Sequence, residues 1–419
     1  PNSVYQNWKK EIDVHCPEET NIYIWKLTKD KTFKIDPKKL TFILMNVEAF
    51  SHKSGVETLK PLIKEYSQDC MMVIDESTTI KNPKAQRTKN LLKLAINTKY
   101  RRILTGFPVT QSPLDLYSQS TFLSPQLLGY TSFYSFQNRY AKLINRKMGA
   151  RSFRQVVGYQ NLEELTENVN EFSYRVLKKE CLDLPDKVYQ RREVELTPEQ
   201  KKVYKQLKDY AIAQLESSEL VSVTSVLTQI LRLHQVVCGF VKHDQGDEVE
   251  IKSNRLDSLL DVLAETQGKV IIWANYQYDI KRILKTLQDT VGTEAVATYY
   301  GETLDEDRQQ IIKSFQDPDS PLTYLISNVQ TGGYGITLTE ASTVIYYSNN
   351  YDLEKRIQSE DRAHRIGQKN NVTYVDIICE NTVDENIVAS LRNKIDLASQ
   401  SLGETLKEWL IESKKKKTK

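Results

Sequence analysis

Gln358, Arg362 and Arg365, spaced as in QSEDRAHRIGQ, have the chemistry to grip an anion. Read as a helix, they fall at i, i+4 and i+7 and share one face. Neither arginine has a carboxylate at i+4 and neither sits in a basic run, which points to planar, bidentate phosphate recognition. The competing reading is a salt-bridged surface helix, because Glu354, Glu360 and Asp361 are close by; spacing alone leaves the two open. Asp352 offers an N-cap, and Gly367 with the lysine and asparagines behind it supplies a helix stop.

A second cluster could handle the chemistry of a phosphate ester. CMMVIDES places Asp75 and Glu76 at the end of an apolar strand, where open α/β sheets bind ligands. Asp75 has the chemistry to hold a hydrated Mg²⁺, and Glu76 to orient or deprotonate an attacking water. A capping or solvated acidic pair is the alternative. RRILTGFP ends another strand with Thr105 and Gly106, a hydroxyl and a small residue suited to relay the state of the acidic pair, or simply a turn. In NVQTGGYGITL, Gly332, Gly333 and Gly335 permit positive φ and close approach of backbone amides to a phosphate.

The elements that must position these residues alternate in type. Val4, Trp8 and Ile12 repeat at helical spacing behind Ser3, a candidate cap. FILMNVEAF, CMMVIDE and RRILTG predict short buried strands separated by helices, hence a parallel α/β sheet. From Leu114 to Phe172 the pattern turns helical and aromatic. RVLKKECLDLPDKVYQRREVEL, charged and broken by Leu-Pro, predicts a linker, followed by helices from Thr197 to about Leu233. A second α/β series follows, with strands at GKVIIWAN, VATYYG, TYLISN, TVIYYSN and VTYVDII and helices at YDIKRILKTLQ and DEDRQQIIKSFQ. The expected organisation is a first lobe with a helical insertion over 1–172, a linker and helical protrusion over 173–252, a second lobe over 253–395, and a C-terminal helix and Lys-rich tail over 396–419. ESKKKKTK is either a solvated tail or a phosphate-backbone contact.

With 419 residues the chain predicts roughly two to three domains. A net charge of +3 gives no global basic character, so any nucleic-acid surface must be local. Five cysteines without a C-x-x-C pair point to a reducing compartment. No stretch reaches the roughly 18 apolar residues of a membrane span, so no membrane partner is expected and the location is read as intracellular.

Individually these motifs discriminate poorly; their order does not. An apolar strand ending in Asp-Glu, then LTG-P, a linker, a Gly-rich loop and Q-x3-R-x2-R resembles helicase superfamily 2. PNSVYQNWKKE, IKNPKAQRTK, LTGFP, LPDK and above all QSEDRAHRIGQ look like the Swi/Snf family of DNA translocases, and the resemblance runs from Pro1 to about Leu391. It implies two RecA-like parallel-sheet lobes with helical insertions, ATP and Mg²⁺ as cofactors, and double-stranded DNA as partner, tracked by sequence-independent backbone contacts by a monomer. It further implies DNA contacts by Ser3, Lys81, Asn275, Gly301, Thr303, Gln330 and Thr331, and nucleotide contacts near Thr105, Gly106, Gly333 and Gly335. Asp75 would hold the metal, while Glu76, Gln358, Arg362 and Arg365 would serve hydrolysis.

The implied activity is ATP-driven translocation on duplex DNA, with strand separation or annealing as an alternative. The sequence departs from the family pattern at Ser77 and Thr78 behind the acidic pair, at Phe107 and Gln111, and at Asn328, Gln330 and Thr337. The 419 residues contain no G-x-x-x-x-G-K-[ST] phosphate loop, whose place in the family is upstream of PNSVYQNW. The expectation is therefore a chain truncated before that loop and poorly active alone; a non-catalytic DNA-binding module is the reading if no such loop exists. Without recognisable accessory modules, the chain is expected to act as a compact motor in repair, recombination or replication. Its location is then cytoplasm or nucleoid in a bacterium or virus, or nucleus in a eukaryote.

Overall fold

The computed structural model describes residues 5–26, 33–148, 151–217, 223–242, 247–332 and 336–402. Ser3, Gly333, Gly335 and the ESKKKKTK cluster lie outside them. The fold is α/β with parallel sheets, and the chain forms two compact units. One takes Pro1–Asn145, Arg154–Tyr174 and Lys394–Lys419; the other takes Arg146–Phe153 and Arg175–Asn393. Among the described residues no helix is long and apolar enough to cross a membrane.

The chain first runs through α1 (Tyr5–His15), β1 (Thr20–Ile24), β2 (Leu40–Leu44), α2 (Lys53–Glu65), β3 (Met71–Ile74), α3 (Gln86–Ala95) and β4 (Tyr100–Ile103). The apolar runs at FILM and MMVI thus become strands, and β1 pairs with β2 and β3 with β4 in parallel. α3 lies between β3 and β4, because a parallel pair needs a long crossover. Phe50, Ile63, Ile74, Ile80, Leu91, Leu94 and Phe122 form one core. Then come α4 (Leu116–Leu123), α5 (Phe133–Tyr140), β5 (Ala141–Met148), β6 (Arg151–Tyr159) and α6 (Leu162–Asn170).

The helical reading of Leu114 to Phe172 needs correction here, since β5 and β6 pair in a two-stranded sheet. Leu143, Val156 and Tyr159 pack on the cluster of Phe136, Tyr140, Leu165 and Val169, while Lys142 and Arg146 stay exposed. That one-sided burial favours a strand's alternation over a helix's stripe.

The second stretch comprises α7 (Lys178–Cys181), β7 (Lys187–Val194), α8 (Pro198–Ser217), α9 (Val223–Cys238), β8 (Phe240–Lys242), β9 (Glu248–Glu250), α10 (Arg255–Ala264), β10 (Lys269–Trp273) and α11 (Gln277–Val291). It continues through β11 (Val296–Tyr299), α12 (Asp305–Gln316), β12 (Tyr324–Ser327), α13 (Val329–Gly332), β13 (Ala341–Tyr346), α14 (Leu353–Ala363), β14 (Val372–Cys379) and α15 (Val383–Leu402). Thr197 caps α8 through a reciprocal bond, its hydroxyl accepting from Gln200 N at 3.2 Å while Gln200 Oε1 accepts from Thr197 N at 3.1 Å.

All five expected strands of the second series are present. They form a parallel six-stranded sheet in the order β11-β12-β10-β13-β14-β7. The two faces of β10 are both covered, and its alternate residues divide between two cores. Val270 and Ile272 join Leu259, Ile280 and Ile283 of α10 and α11; Ile271 and Trp273 join Phe315 of α12 and Ala363 of α14. The sixth strand corrects the linker reading. Lys187–Val194 runs the full length of β14, from Lys187 opposite Val372 to Val194 opposite Cys379. Its charges concealed it: Arg191 and Arg192 belong to an edge strand, where charge is favoured.

Buried charge ties the helices to this sheet. Arg255, wholly buried, donates to Tyr347 O and pairs with Asp384, whose other oxygen lies 3.3 Å from His234 Nε2. Burial opposes ionisation of Asp384, but Arg255, His234 and the Cys379 N–H together hold its carboxyl at about 2. Asp279 differs. Burial pushes it up to about 7 despite Arg282 at 3.7 Å, with Arg255 also pulling it down. The folded chain therefore keeps a proton on Asp279 that the unfolded chain, with the ordinary value of 3.8, releases. Stability from this group is fully present below about pH 4 and is lost as pH rises towards about 7. Urea denaturation at pH 5 and pH 8 should show Asp279→Asn losing this decline, which amounts to roughly 3 kcal/mol between those two pH values in the wild type. An unchanged pH slope in the variant would refute the assignment.

Candidate functional site

β3 stops at Ile74, and the chain turns sharply to present the acidic pair. Glu76 adopts the left-handed region, φ 49 and ψ 59. A non-glycine residue there is strained, and such strain persists only where the surroundings impose it. Asp75 Oδ1 accepts from Glu76 N at 3.0 Å and its Oδ2 from the Trp8 indole at 3.3 Å. Trp8, legible in sequence only as part of an apolar helical stripe, is thus a carboxylate-positioning residue of α1. The signal that could have found it is the one polar atom of an indole, which seeks a partner.

The LTGFP turn is wired to the same strand end. Leu104 N donates to Ile74 O at 2.9 Å and Ser77 N to Leu104 O at 3.1 Å. The buried Ser77 hydroxyl donates to Gln119 Oε1 at 2.6 Å, and Gln119 Nε2 donates to Pro108 O at 2.7 Å. A hydrogen-bonded path therefore joins the residue behind the acidic pair to the turn, through a glutamine that sequence reasoning missed. Thr105 Oγ1 accepts from Phe107 N at 3.1 Å and so builds the turn itself. Gly106 has open space around its Cα. Lys81 Nζ donates to Thr110 Oγ1 at 2.7 Å. Asp115 Oδ2 accepts from Thr110 N and Gln111 N at 3.0 and 2.8 Å and holds that loop.

In the second unit, Asn275 follows β10, Gly301 and Thr303 follow β11, and Gln330 and Thr331 follow β12. Because these strands are parallel, all five residues lie along the carboxyl edge of one sheet. Asn275 is exposed while its backbone N–H donates to Ser348 Oγ at 2.8 Å. Thr303 Oγ1 accepts from Tyr300 N at 3.0 Å and donates to Thr298 O at 3.1 Å, so the hydroxyl shapes the turn. Asn328 caps α13 by accepting from Thr331 N at 2.9 Å. Gly332 corrects the loop reading. It is helical, not at positive φ, and a Cβ there would lie 2.8 Å from the Trp273 ring. Close packing demands that glycine.

The arginine segment lies at the opposite, amino edge. Asp352 caps α14, its side chain accepting from Lys355 N at 3.4 Å, and Gly367 adopts φ +102 beyond the helix. However, α14 ends at Ala363, so Arg365 is not the third member of a helical face. The His364 side chain ties the chain down there, its Nε2 lying 2.7 Å from Pro185 O. Arg362 Nε donates to Gln358 O at 2.9 Å and its Nη1 to Ile336 O at 3.2 Å, and Leu338 N donates back to Arg362 O at 2.9 Å. Among the described residues, Gln358 Oε1 is buried without a hydrogen-bond partner. Arg365 makes no side-chain hydrogen bond or ion pair among the described residues and is half-buried. Neighbouring acids are engaged elsewhere. Glu360 is wholly buried against Arg356 Nε at 2.9 Å, Lys187 Nζ at 3.1 Å and Tyr189 OH at 2.8 Å; Asp361 pairs with Lys178 at 2.6 Å. Glu360 and Asp361 are thus paired with Arg356, Lys187 and Lys178.

Comparison with known proteins gives two family matches. Residues 1–240 match the SNF2-related domain, and residues 252–367 match the helicase conserved C-terminal domain. An uncharacterized ATP-dependent helicase of Mycoplasma pneumoniae is 28% identical over 417 residues, covering 96% of this chain and 37% of that protein. The TATA-binding protein-associated factor MOT1 of Saccharomyces cerevisiae is 28% identical over 451 residues, covering 95% of this chain and 24% of that protein. The chain thus spans little more than a third, or less, of the length of these relatives. The Sulfolobus solfataricus SWI2/SNF2 ATPase core solved in complex with double-stranded DNA is 27% identical, covering 96% of this chain and 82% of that one, with a TM-score of 0.42.

The Ser77–Gln119 bond makes a direct prediction. Ser77→Ala leaves the buried Gln119 Oε1 without its donor and should cost about 1–3 kcal/mol in urea denaturation. A loss below a few tenths of a kcal/mol would show that the path through Gln119 carries no energy.

Proposed function

From the premise that the chain belongs to the SNF2-related family of helicase-like proteins, we propose that it is the motor core of a DNA-dependent ATPase that translocates along double-stranded DNA. The observation that carries this reading is Arg365: a half-buried arginine without a protein anion among the described residues, two residues past the end of α14, beside acids that other cations have taken. Such a group suits a phosphoryl oxygen.

In this reading Glu76 orients the water that attacks the γ-phosphorus; the bond to the β,γ-bridging oxygen breaks and ADP and phosphate leave. Asp75 fits a magnesium ion, which uses only one or two carboxylates and completes its shell with water and phosphate; among the described residues no three-carboxylate cage exists. When bound, that ion supplies charge neutralisation on the phosphates. Arg362 and Arg365 stabilise charge on the transferring group, and Gln358, one turn before Arg362, orients toward it. Thr105 and Gly106 carry the state of the acidic pair into the LTGFP turn. Gly333 and Gly335 are assigned to the nucleotide by sequence alone. Asn275, Gly301, Thr303, Gln330 and Thr331 would meet the DNA backbone along the carboxyl edge, with Lys81 and Ser3 contributing from the first unit. The hydrolysis cycle then drives stepping along the duplex.

The name of the Mycoplasma relative favours a second reading, strand separation. Release of a third strand from a triplex without unwinding of a duplex supports translocation; duplex unwinding supports the alternative. For the hydrolytic step, Arg365→Ala in the full-length protein should lower DNA-stimulated ATP turnover by about 10³-fold or more, the scale of an arginine finger. Wild-type turnover in that variant would defeat the assignment.

A further inference from the structure

We propose that the segment from Lys178 to Lys187 is a positioning strap for Arg365, drawing the carboxylates of QSEDR away from that arginine. This rests on the reading of Arg365 as the anion-binding arginine. In sequence the segment looks like a connector; in the structure it runs along the end of α14. Lys178 Nζ lies 2.6 Å from Asp361 Oδ1, and Lys187 Nζ lies 3.1 Å from Glu360 and 3.8 Å from Asp361. Between these lysines, Pro185 O meets the His364 ring at 2.7 Å and Asp186 N donates to Asn371 Oδ1 at 3.0 Å. The strap therefore holds the chain at the residue before Arg365 and again six residues after it.

Charge explains why this matters. Asp361 precedes Arg365 by four residues, and no other acid occurs from there to Val372. Released from the lysines, it is the nearest acid in sequence to compete with a phosphate for the guanidinium. Glu360 is kept from doing so by burial and by three donors, Arg356, Lys187 and Tyr189. Asp361 is 26% exposed and depends on the two lysines. Counting Asp376, which shares Arg356 with Glu360, three carboxylates meet three cations, Lys178, Lys187 and Arg356, so the charge balances without Arg365. Lys178 is the removable member: its side chain is 47% exposed, and its loss leaves no cavity in the core.

The test reads Arg365 directly. Full-length protein is treated with phenylglyoxal, which adds to accessible guanidinium groups, and Arg365 labelling is followed by peptide mass. In Lys178→Met, Asp361 is expected to capture Arg365 and slow its labelling several-fold. Lys178→Met with Asp361→Asn should restore the wild-type rate, and Asp361→Asn alone should not slow it. Unchanged labelling in Lys178→Met overturns the inference; so does slowing that the second substitution fails to reverse, because that marks a distorted fold. DNA-stimulated ATP turnover measured on the same proteins should fall about tenfold or more and recover in the double variant. If labelling follows the expected pattern while the wild type hydrolyses no ATP, the strap stands and the ATPase reading falls.

Discussion

The second unit depends on the carboxylate of Glu360, wholly buried and satisfied by a guanidinium, an ammonium and a phenol from two distant parts of the chain. Arg356, one turn earlier on α14, reaches Asp376 of β14 with Nη2 at 3.0 Å and lies over the Tyr346 ring at 3.4 Å. Lys187 and Tyr189 belong to β7. One carboxylate thus fastens a helix to the edge strand, and the same helix is fastened to two further strands. A buried ion loses hydration that only good geometry and complete hydrogen bonding recover, so no member of this set can be removed singly without leaving a charge unmet. Burial pushes the Tyr189 and Tyr374 hydroxyls far above their ordinary values, with Glu360 adding to the effect, so both stay protonated as donors.

A rigid helix at that place divides the labour of the sheet. Parallel strands put every following loop at one edge, and here that edge carries Asn275, Gly301, Thr303, Gln330 and Thr331. The arginine segment emerges at the other edge, about one strand length away, roughly 15 Å at 3.3 Å per residue. Two ligand chemistries can then be served by one sheet without sharing side chains. The sheet transmits strain between its edges because its core is close-packed on both faces, with β10 buried at every residue.

Legibility in the sequence followed how local each determinant is. The strands of the second series were readable because buried parallel strands are continuous apolar runs, and Asp352 and Gly367 marked the ends of the arginine segment through cap chemistry. β7 was not readable, because its partner β14 lies nearly two hundred residues on and its exposed arginines mimic a linker. The extrapolation from Arg362 to Arg365 failed for a similar reason: the helix stops where His364 finds Pro185 O, a contact from another part of the chain. Gly332 was noticed for the wrong property, since backbone freedom and closeness to Trp273 leave the same letter in the sequence. Trp8 and Gln119 left no signal beyond their residue types.

The departures from the family pattern behind the acidic pair acquire a physical meaning from these contacts. Ser77 and Thr78 are both buried, so the two positions face the protein and not a ligand. A serine at the first can do what an alanine there cannot: donate to Gln119 and, through it, engage the carbonyl of Pro108. Backbone bonds from Leu104 to Ile74 and from Ser77 to Leu104 already hold the two strand ends in step. Adding a side-chain path makes the left-handed backbone of Glu76 harder to relax, because any change in its φ and ψ must also displace Ser77. The substitution therefore tightens the link between acidic pair and turn, while Trp8 holds the Asp75 carboxylate.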